Sequence, residues 1–275
     1  MSEHLRVLER SVYRGPHLYS GRPMIRLQVD LGRLEAHPTD KLPGFAEALL
    51  TRLPGLARHG CSHGRPGGLV ERMASGTWLG HVMEHVALEL QTLGGARTTR
   101  GKTRSVRGRP GVYNILYVYE GEAAGLLAGR LAIELVQTLL PEDLRGATGL
   151  DLICEAPPGL GADLDAAVAA IAQARRGAAF GPSTASLVEA ARRRGIPVER
   201  LNAQSLVQLG WGARQRRIRA SVTDRTGLIA AESAGDKAEA KALLQGVGVP
   251  VARGVVVRSL DDALAAAARL RPPWV

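Results

Sequence analysis

The sequence predicts an α/β protein in two parts, a mixed α+β domain over residues 1–160 and the beginning of a second α/β domain over residues 161–275. Three observations predict it. Apolar residues alternate over residues 24–31 and 112–119, as half-buried strands require. They recur at helical spacing over residues 45–53, 77–93 and 123–140. Periodicity then fails between Pro141 and Gly161, where Pro157-Pro158-Gly159 marks a linker.

In order, residues 7–34 read as strands joined by a turn at Arg14-Gly15-Pro16. A helix follows Pro43, with Phe45, Leu49, Leu50 and Leu53 on one face and Pro54-Gly55 as its stop, and residues 61–68 read as a loop. Leu79, Val82, Met83, Val86, Leu90 and Leu93 define the next helix, with Thr77 as its N-cap and Gly94-Gly95 as its end. A strand at residues 112–119 and an Ala/Leu-rich helix at residues 123–140 complete the first part. Beyond the linker the pattern gives helices at residues 163–176 and 184–194 and strands at 206–210 and 217–223. A helix at 237–246, a strand at 254–258 and a helix at 260–270 follow, and Pro272-Pro273-Trp274-Val275 reads as the start of another strand.

Composition narrows the class. The 275 residues are 45% apolar, with 36 Lys+Arg against 26 Asp+Glu and a net charge of +10, which excludes a disordered chain. The 33 glycines follow no triplet period and two cysteines cannot staple a chain of this size, so collagen-like and disulfide-scaffold classes are excluded too. There is no signal-peptide pattern after Met1-Ser2-Glu3-His4 and no apolar run of about 18 residues, so the expectation is a soluble, cytoplasmic protein with reduced thiols and no membrane partner. Lysine supplies only Lys41, Lys102, Lys237 and Lys241, and so strong an arginine bias reads partly as genomic base composition.

His81-Val82-Met83-Glu84-His85 places two imidazoles at i and i+4 on one helical face, about 5 to 6 Å apart at Cβ, with a carboxylate beside them. That is metal-ligand spacing, and an H-x-x-E-H helix with a third ligand leaves one zinc position for water and makes the Glu a general base. Cys61 is the best third ligand because a thiolate bonds zinc well; His59, His63 and Glu134 are the alternatives. The competing explanation is a core-facing helix whose histidines merely hydrogen-bond to neighbours, with Cys61 as a small buried hydrophobe. Further on, Gly181-Pro182-Ser183-Thr184 reads as a turn that delivers Ser183 or Thr184 to a helix N-cap, where free amides suit an anion such as a carboxylate; an ordinary cap without a ligand competes with this.

Gly181-Pro182-Ser183-Thr184, Gln208-Leu209-Gly210-Trp211-Gly212, Arg217-Ile218, Thr223-Asp224-Arg225-Thr226-Gly227, Glu232 to Lys237 and Gly248-Val249-Pro250 occur in one linear order. With Pro43-Gly44-Phe45, His59-Gly60-Cys61-Ser62, Arg65-Pro66-Gly67-Gly68, Gly76-Thr77-Trp78 and residues 80–91, this order resembles the cyanophycin synthetase family along essentially the whole chain. Two departures stand out. Arg14-Gly15-Pro16-His17 replaces the family's R-G-P-N, and residues 144–164 match nothing in it.

The resemblance implies a fold and an activity. Family members polymerise aspartate and arginine with ATP and magnesium, using an N-terminal domain, an ATP-grasp domain and a Mur-ligase-like domain. Residues 161–275 would then be the incomplete start of an ATP-grasp ligase domain. Carried over, Ser183 helps hold the polymer's C-terminal end, Glu232 lines the same cleft and Lys237 contacts nucleotide. A hydroxyl and helix amides suit a carboxylate, an acid suits an arginine side chain, and an ammonium suits a phosphate. The second phosphate-contacting lysine, the grasp loop, the magnesium carboxylates and the arginine-adding domain have no counterpart here, so a truncated chain that cannot itself ligate is expected. In some members the N-terminal domain resembles a metallopeptidase that cuts polymer into primers. On that likeness Cys61, His81 and His85 are zinc ligands and Glu84 is the base. Cyanophycin polymer, aspartate and ATP are the implied partners, and a homo-oligomer is implied for the full-length enzyme.

Two readings from other classes compete. Arg97, Arg100, Lys102, Arg104, Arg107 and Arg109 form a basic loop, and Arg214, Arg216, Arg217 and Arg219 a second cluster, as a nucleic-acid-binding module would need. No aromatic residues interleave with the first cluster and no recognition motif accompanies it, so a solvated loop or a patch for polymer carboxylates is more economical. The other competitor is a structural or oligomerisation fragment with a vestigial metal site.

Overall fold

The computed structural model describes residues 2–270 and 272, which form two compact units, Met1–Phe180 and Gly181–Val275. The expected strand start at residues 273–275 lies outside the described residues.

In the first unit, β1 (Leu5–Tyr13) and β2 (Met24–Asp30) pair antiparallel, with a register shift between Val7 and Glu9. Three helices follow: α1 (Phe45–Arg52), α2 (Gly68–Ala74) and α3 (Leu79–Leu93). Then come β3 (Gly101–Ser105), β4 (Val112–Val118), α4 (Glu122–Thr138), the short β5 (Ala147–Thr148) and α5 (Leu164–Gly177). The sheet order is β3-β4-β2-β1-β5, antiparallel throughout except for the β1–β5 edge pair.

Strand alternation decides which face the helices cover. Ile25, Leu27, Val29, Tyr113, Ile115 and Tyr117 enter the core with α3 and α4, whereas Gln28 and Asn114 hydrogen-bond to each other from the intervening positions. Two glycines one helical turn apart bring α4 close to the sheet. A Cβ on Gly125 would lie 2.8 Å from Ile25 Cδ1, and one on Gly129 would lie 2.0 Å from the Tyr117 hydroxyl. That hydroxyl is fixed by donating to Gly125 O at 3.1 Å, so the helix keeps its glycines despite their cost of about 1 kcal/mol each in helix propensity.

Several expectations shift. Helix α5 sits in the first unit, not after a boundary at residue 160, because Ala167 and Ile171 are buried in the first core; Asp163 caps it by accepting from Ala166 N. The expected loop at residues 61–68 contains a 3-10 turn, Cys61–His63, and runs straight into α2. The basic loop at residues 97–109 contains β3, so Lys102 and Arg104 project from an edge strand, where charge discourages pairing with another chain.

The second unit comprises α6 (Pro182–Arg193), β6 (Val198–Arg200), β7 (Leu206–Leu209), β8 (Arg216–Arg219), β9 (Val222–Thr223), α7 (Leu228–Gly235), α8 (Lys237–Gly246) and α9 (Leu260–Arg269). Its sheet is antiparallel, in order β6-β7-β8-β9. The single strand expected at residues 217–223 is a hairpin instead, turned at Ala220, which takes a left-handed φ of 51°. Residues 254–258 form no strand. Gly181 occupies the N-cap of α6, with Pro182 at its first position, so neither Ser183 nor Thr184 caps it. The fold class is therefore the mixed α/β one expected. Both cysteines are free, and among the described residues no helix is long and apolar enough to cross a membrane.

Candidate metal centre

Helix α3 is buried on nearly every side, including Glu84, His85 and Glu89. A charged or polar group in such a helix must find a partner, and each one here does. His81 and His85, one turn apart, have ring centroids 4.9 Å from each other. Thr77 does not cap the helix; Trp78 holds the N-cap position, and the Thr77 hydroxyl lies 3.0 Å from His81 Nδ1. Holding Nδ1 turns the other ring nitrogen toward Cys61, whose Sγ is 3.2 Å from His81 Nε2.

Cys61 reaches this point through a tightly closed loop. A Cβ on Gly68 would stand 2.0 Å from Gly60 O, and Gly64 N donates to Gly60 O at 3.0 Å. Cys61 itself adopts a left-handed φ of 48°, a conformation that costs a non-glycine residue about 1–2 kcal/mol and gathers at functional sites. Its thiol, His81 and His85 together offer three ligand atoms that all lie within 4.8 Å of one another. Tetrahedral zinc, with bonds of about 2.0 Å to nitrogen and about 2.3 Å to sulfur, would place its ligand atoms about 3.5 Å apart, so this soft and borderline donor set fits the ion.

The other candidates for third ligand are engaged elsewhere. His59 spends Nδ1 on His85 Nδ1 and Nε2 on Glu89 Oε2, both at 2.9 Å. His63 lies 4.0 Å from Glu71, and Glu134 is bound by Arg130 and by Gly161 N.

Glu84 is held from β3, the strand that periodicity did not reveal. The Thr103 hydroxyl donates to Glu84 Oε2 at 2.6 Å, and a Cβ on Gly101 would lie 2.3 Å from Oε1. Burial raises the Glu84 carboxyl to about 8, against the opposing effects of the Thr103 bond and Arg104. Burial, assisted by Arg72, lowers His81 to about 4. Burial, assisted by His81 and His59, lowers His85 to about 3. Both imidazoles are thus neutral at physiological pH, the form that binds a metal.

These shifts set a pH dependence for protein stripped of metal. Between 4.5 and about 8 the folded state holds the Glu84 proton more tightly than the unfolded state, so this group's contribution falls as pH rises. The imidazoles act oppositely: from about 4 up to 6.5 the unfolded state binds more protons, and stability rises with pH. The site's contribution is therefore expected to peak near pH 6.5 and decline toward pH 8. Urea midpoints across this range check it, and Glu84→Gln should flatten the decline above the peak.

The second unit's candidates are not assembled in this way. Ser183 is the second residue of α6, Glu232 lies in α7 and Lys237 opens α8; all three are exposed. Among the described residues none of the three side chains makes a hydrogen bond or ion pair. Sequence reasoning missed Thr103, Gly101 and Glu89. Glu89 had left a signal, an acid four residues after His85 on the same face of an otherwise apolar helix.

A family model described as a cyanophycin synthase-like N-terminal domain matches residues 26–141. The chain is 40% identical over 260 residues to the cyanophycin synthetase of Trichormus variabilis. It is 38% identical over 260 residues to the cyanophycin synthetases of Geminocystis herdmanii and Synechocystis sp.. These matches bear out the resemblance drawn from the motifs. Each covers 94% of this chain and 27–28% of the relative, so the chain spans little more than a quarter of the length of these enzymes.

Proposed function

We propose that the 275 residues are the front part of a cyanophycin synthetase and that the first unit is a zinc-dependent hydrolase that cuts the polymer into primers. The observation that carries this reading is the convergence of Cys61, His81 and His85 within 4.8 Å, two of them on the helix that also carries the buried Glu84. On this reading residues 181–275 begin an ATP-grasp domain, and the ATP- and magnesium-dependent joining of aspartate belongs to the whole enzyme. The reduced Cys61 thiol suits the cytoplasm.

Cys61 Sγ, His81 Nε2 and one nitrogen of His85 would hold the ion. Bound zinc supplies Lewis acidity, polarising the scissile carbonyl and acidifying water. Glu84 handles the proton. Thr103 holds Oε2, and the carboxylate would accept a proton from the attacking water and return it to the departing amine. Glu84 is buried and Thr103 half-buried, which limits bulk water at the carboxylate.

The test is incubation of purified chain with insoluble cyanophycin and a count of new amino termini. Zinc-loaded protein is expected to release soluble fragments and chelator-stripped protein to release none. Equal release by both would overturn the reading.

A further inference from the structure

Behind the proposed ligands lies a second set of polar groups that the hydrolytic mechanism does not use. Glu89 follows His85 by one helical turn, so His81, His85 and Glu89 form a stripe along α3. His59, from the segment after α1, bridges the last two. Its Nε2 is 2.9 Å from Glu89 Oε2 and its Nδ1 is 2.9 Å from His85 Nδ1. Glu89 is buried and His59 half-buried, with side-chain exposures of 7% and 17%. Space is also reserved for it, since a Cβ on Gly55 would stand 1.7 Å from Glu89 Oε1.

Hydrogen-bond polarity along this chain determines which nitrogen of His85 is bare. A carboxylate only accepts, so His59 Nε2 carries the proton it donates to Glu89. If His59 carries a single ring proton, its Nδ1 presents a lone pair and His85 Nδ1–H is the donor to it. His85 Nε2 is left without a proton and with its lone pair free. We infer that His59 and Glu89 are positioning residues that fix His85 in the tautomer with a bare Nε2 and so prepare it to take the metal. This inference rests on the metal-site reading and adds two residues to it. A carboxylate and imidazole behind a ligand histidine fix its ring orientation and raise its basicity, and losing such a partner lowers metal affinity about 10–100-fold.

Three proteins separate this role from simple packing: wild type, His59→Leu, which keeps bulk but removes the acceptor, and His59→Asn, whose side-chain oxygen restores an acceptor close to the Nδ1 position. Zinc affinity is measured by competition with a chromophoric chelator. The Leu variant is expected to bind zinc about 10–100-fold more weakly, and the Asn variant within about threefold of wild type. Long-range nitrogen-15 correlation spectra of metal-free wild type need no variant and are expected to show His85 protonated at Nδ1 and bare at Nε2. A proton on Nε2, or equal zinc affinity in wild type and His59→Leu, would overturn the positioning role while leaving the hydrolase reading intact. Absence of zinc uptake by wild type would overturn the metal reading, and this inference with it, before any variant is compared.

Discussion

Glu84→Gln is expected to keep zinc and to lose polymer cleavage about 10²–10⁴-fold, the contribution of a positioned general base. The substitution preserves shape, and the amide oxygen can still accept the Thr103 hydrogen bond that holds the carboxylate now. What disappears is the ability to take a proton from water. Because the carboxyl is buried and has a raised pKa, the neutral amide should also be tolerated by the fold; the metal-free variant should be at least as stable as wild type near pH 8. Side-by-side release assays with zinc-saturated proteins check the first part and urea titrations the second. Undiminished cleavage by the variant would remove Glu84 from the mechanism.

Removing a ligand should act earlier, on the metal. Cys61→Ser replaces a thiolate by a poor zinc donor of nearly the same size, and His81→Ala deletes the nitrogen that Thr77 orients. Each variant is expected to lose zinc affinity by more than about 100-fold, the upper end of what losing an orienting partner alone produces. The metal should stabilise wild type by about 2.7 kcal/mol when free zinc is about 100 times its Kd, and this gain should vanish in both variants. Thermal unfolding with and without zinc reads the difference. An equal zinc-dependent shift in wild type and Cys61→Ser would place the ion elsewhere.

Much of the centre was legible in the sequence because it is written in helical spacing. His81 and His85 share a face only if residues 79–93 are helical, and the apolar repeat on that segment leaves little alternative. The companions of these histidines were less legible. Strand β3 has the sequence Gly101-Lys102-Thr103-Arg104-Ser105, with no apolar residue to mark it, because it is an edge strand bonded only to β4. Thr103 and Gly101 therefore read as part of a basic loop, although one grips Glu84 and the other makes room for it.

Caps and boundaries failed for related reasons. Thr77 has the right chemistry for an N-cap, but His81 lies one turn on and engages its hydroxyl. Periodicity lapses between Pro141 and Gly161, yet Ala167 and Ile171 beyond it join the core of the first unit, a contribution that no local pattern reports. In the second unit, the valines of residues 255–257 carry the composition of a strand. Composition alone does not supply a neighbour to pair with, and residues 254–258 remain unpaired.

The most direct measurement is elemental analysis of the purified 275-residue chain after dialysis against trace zinc. The Cys61, His81 and His85 cluster predicts about one zinc per chain, removed by chelation and restored on readdition. Protein that is folded and reduced yet retains no zinc would contradict it.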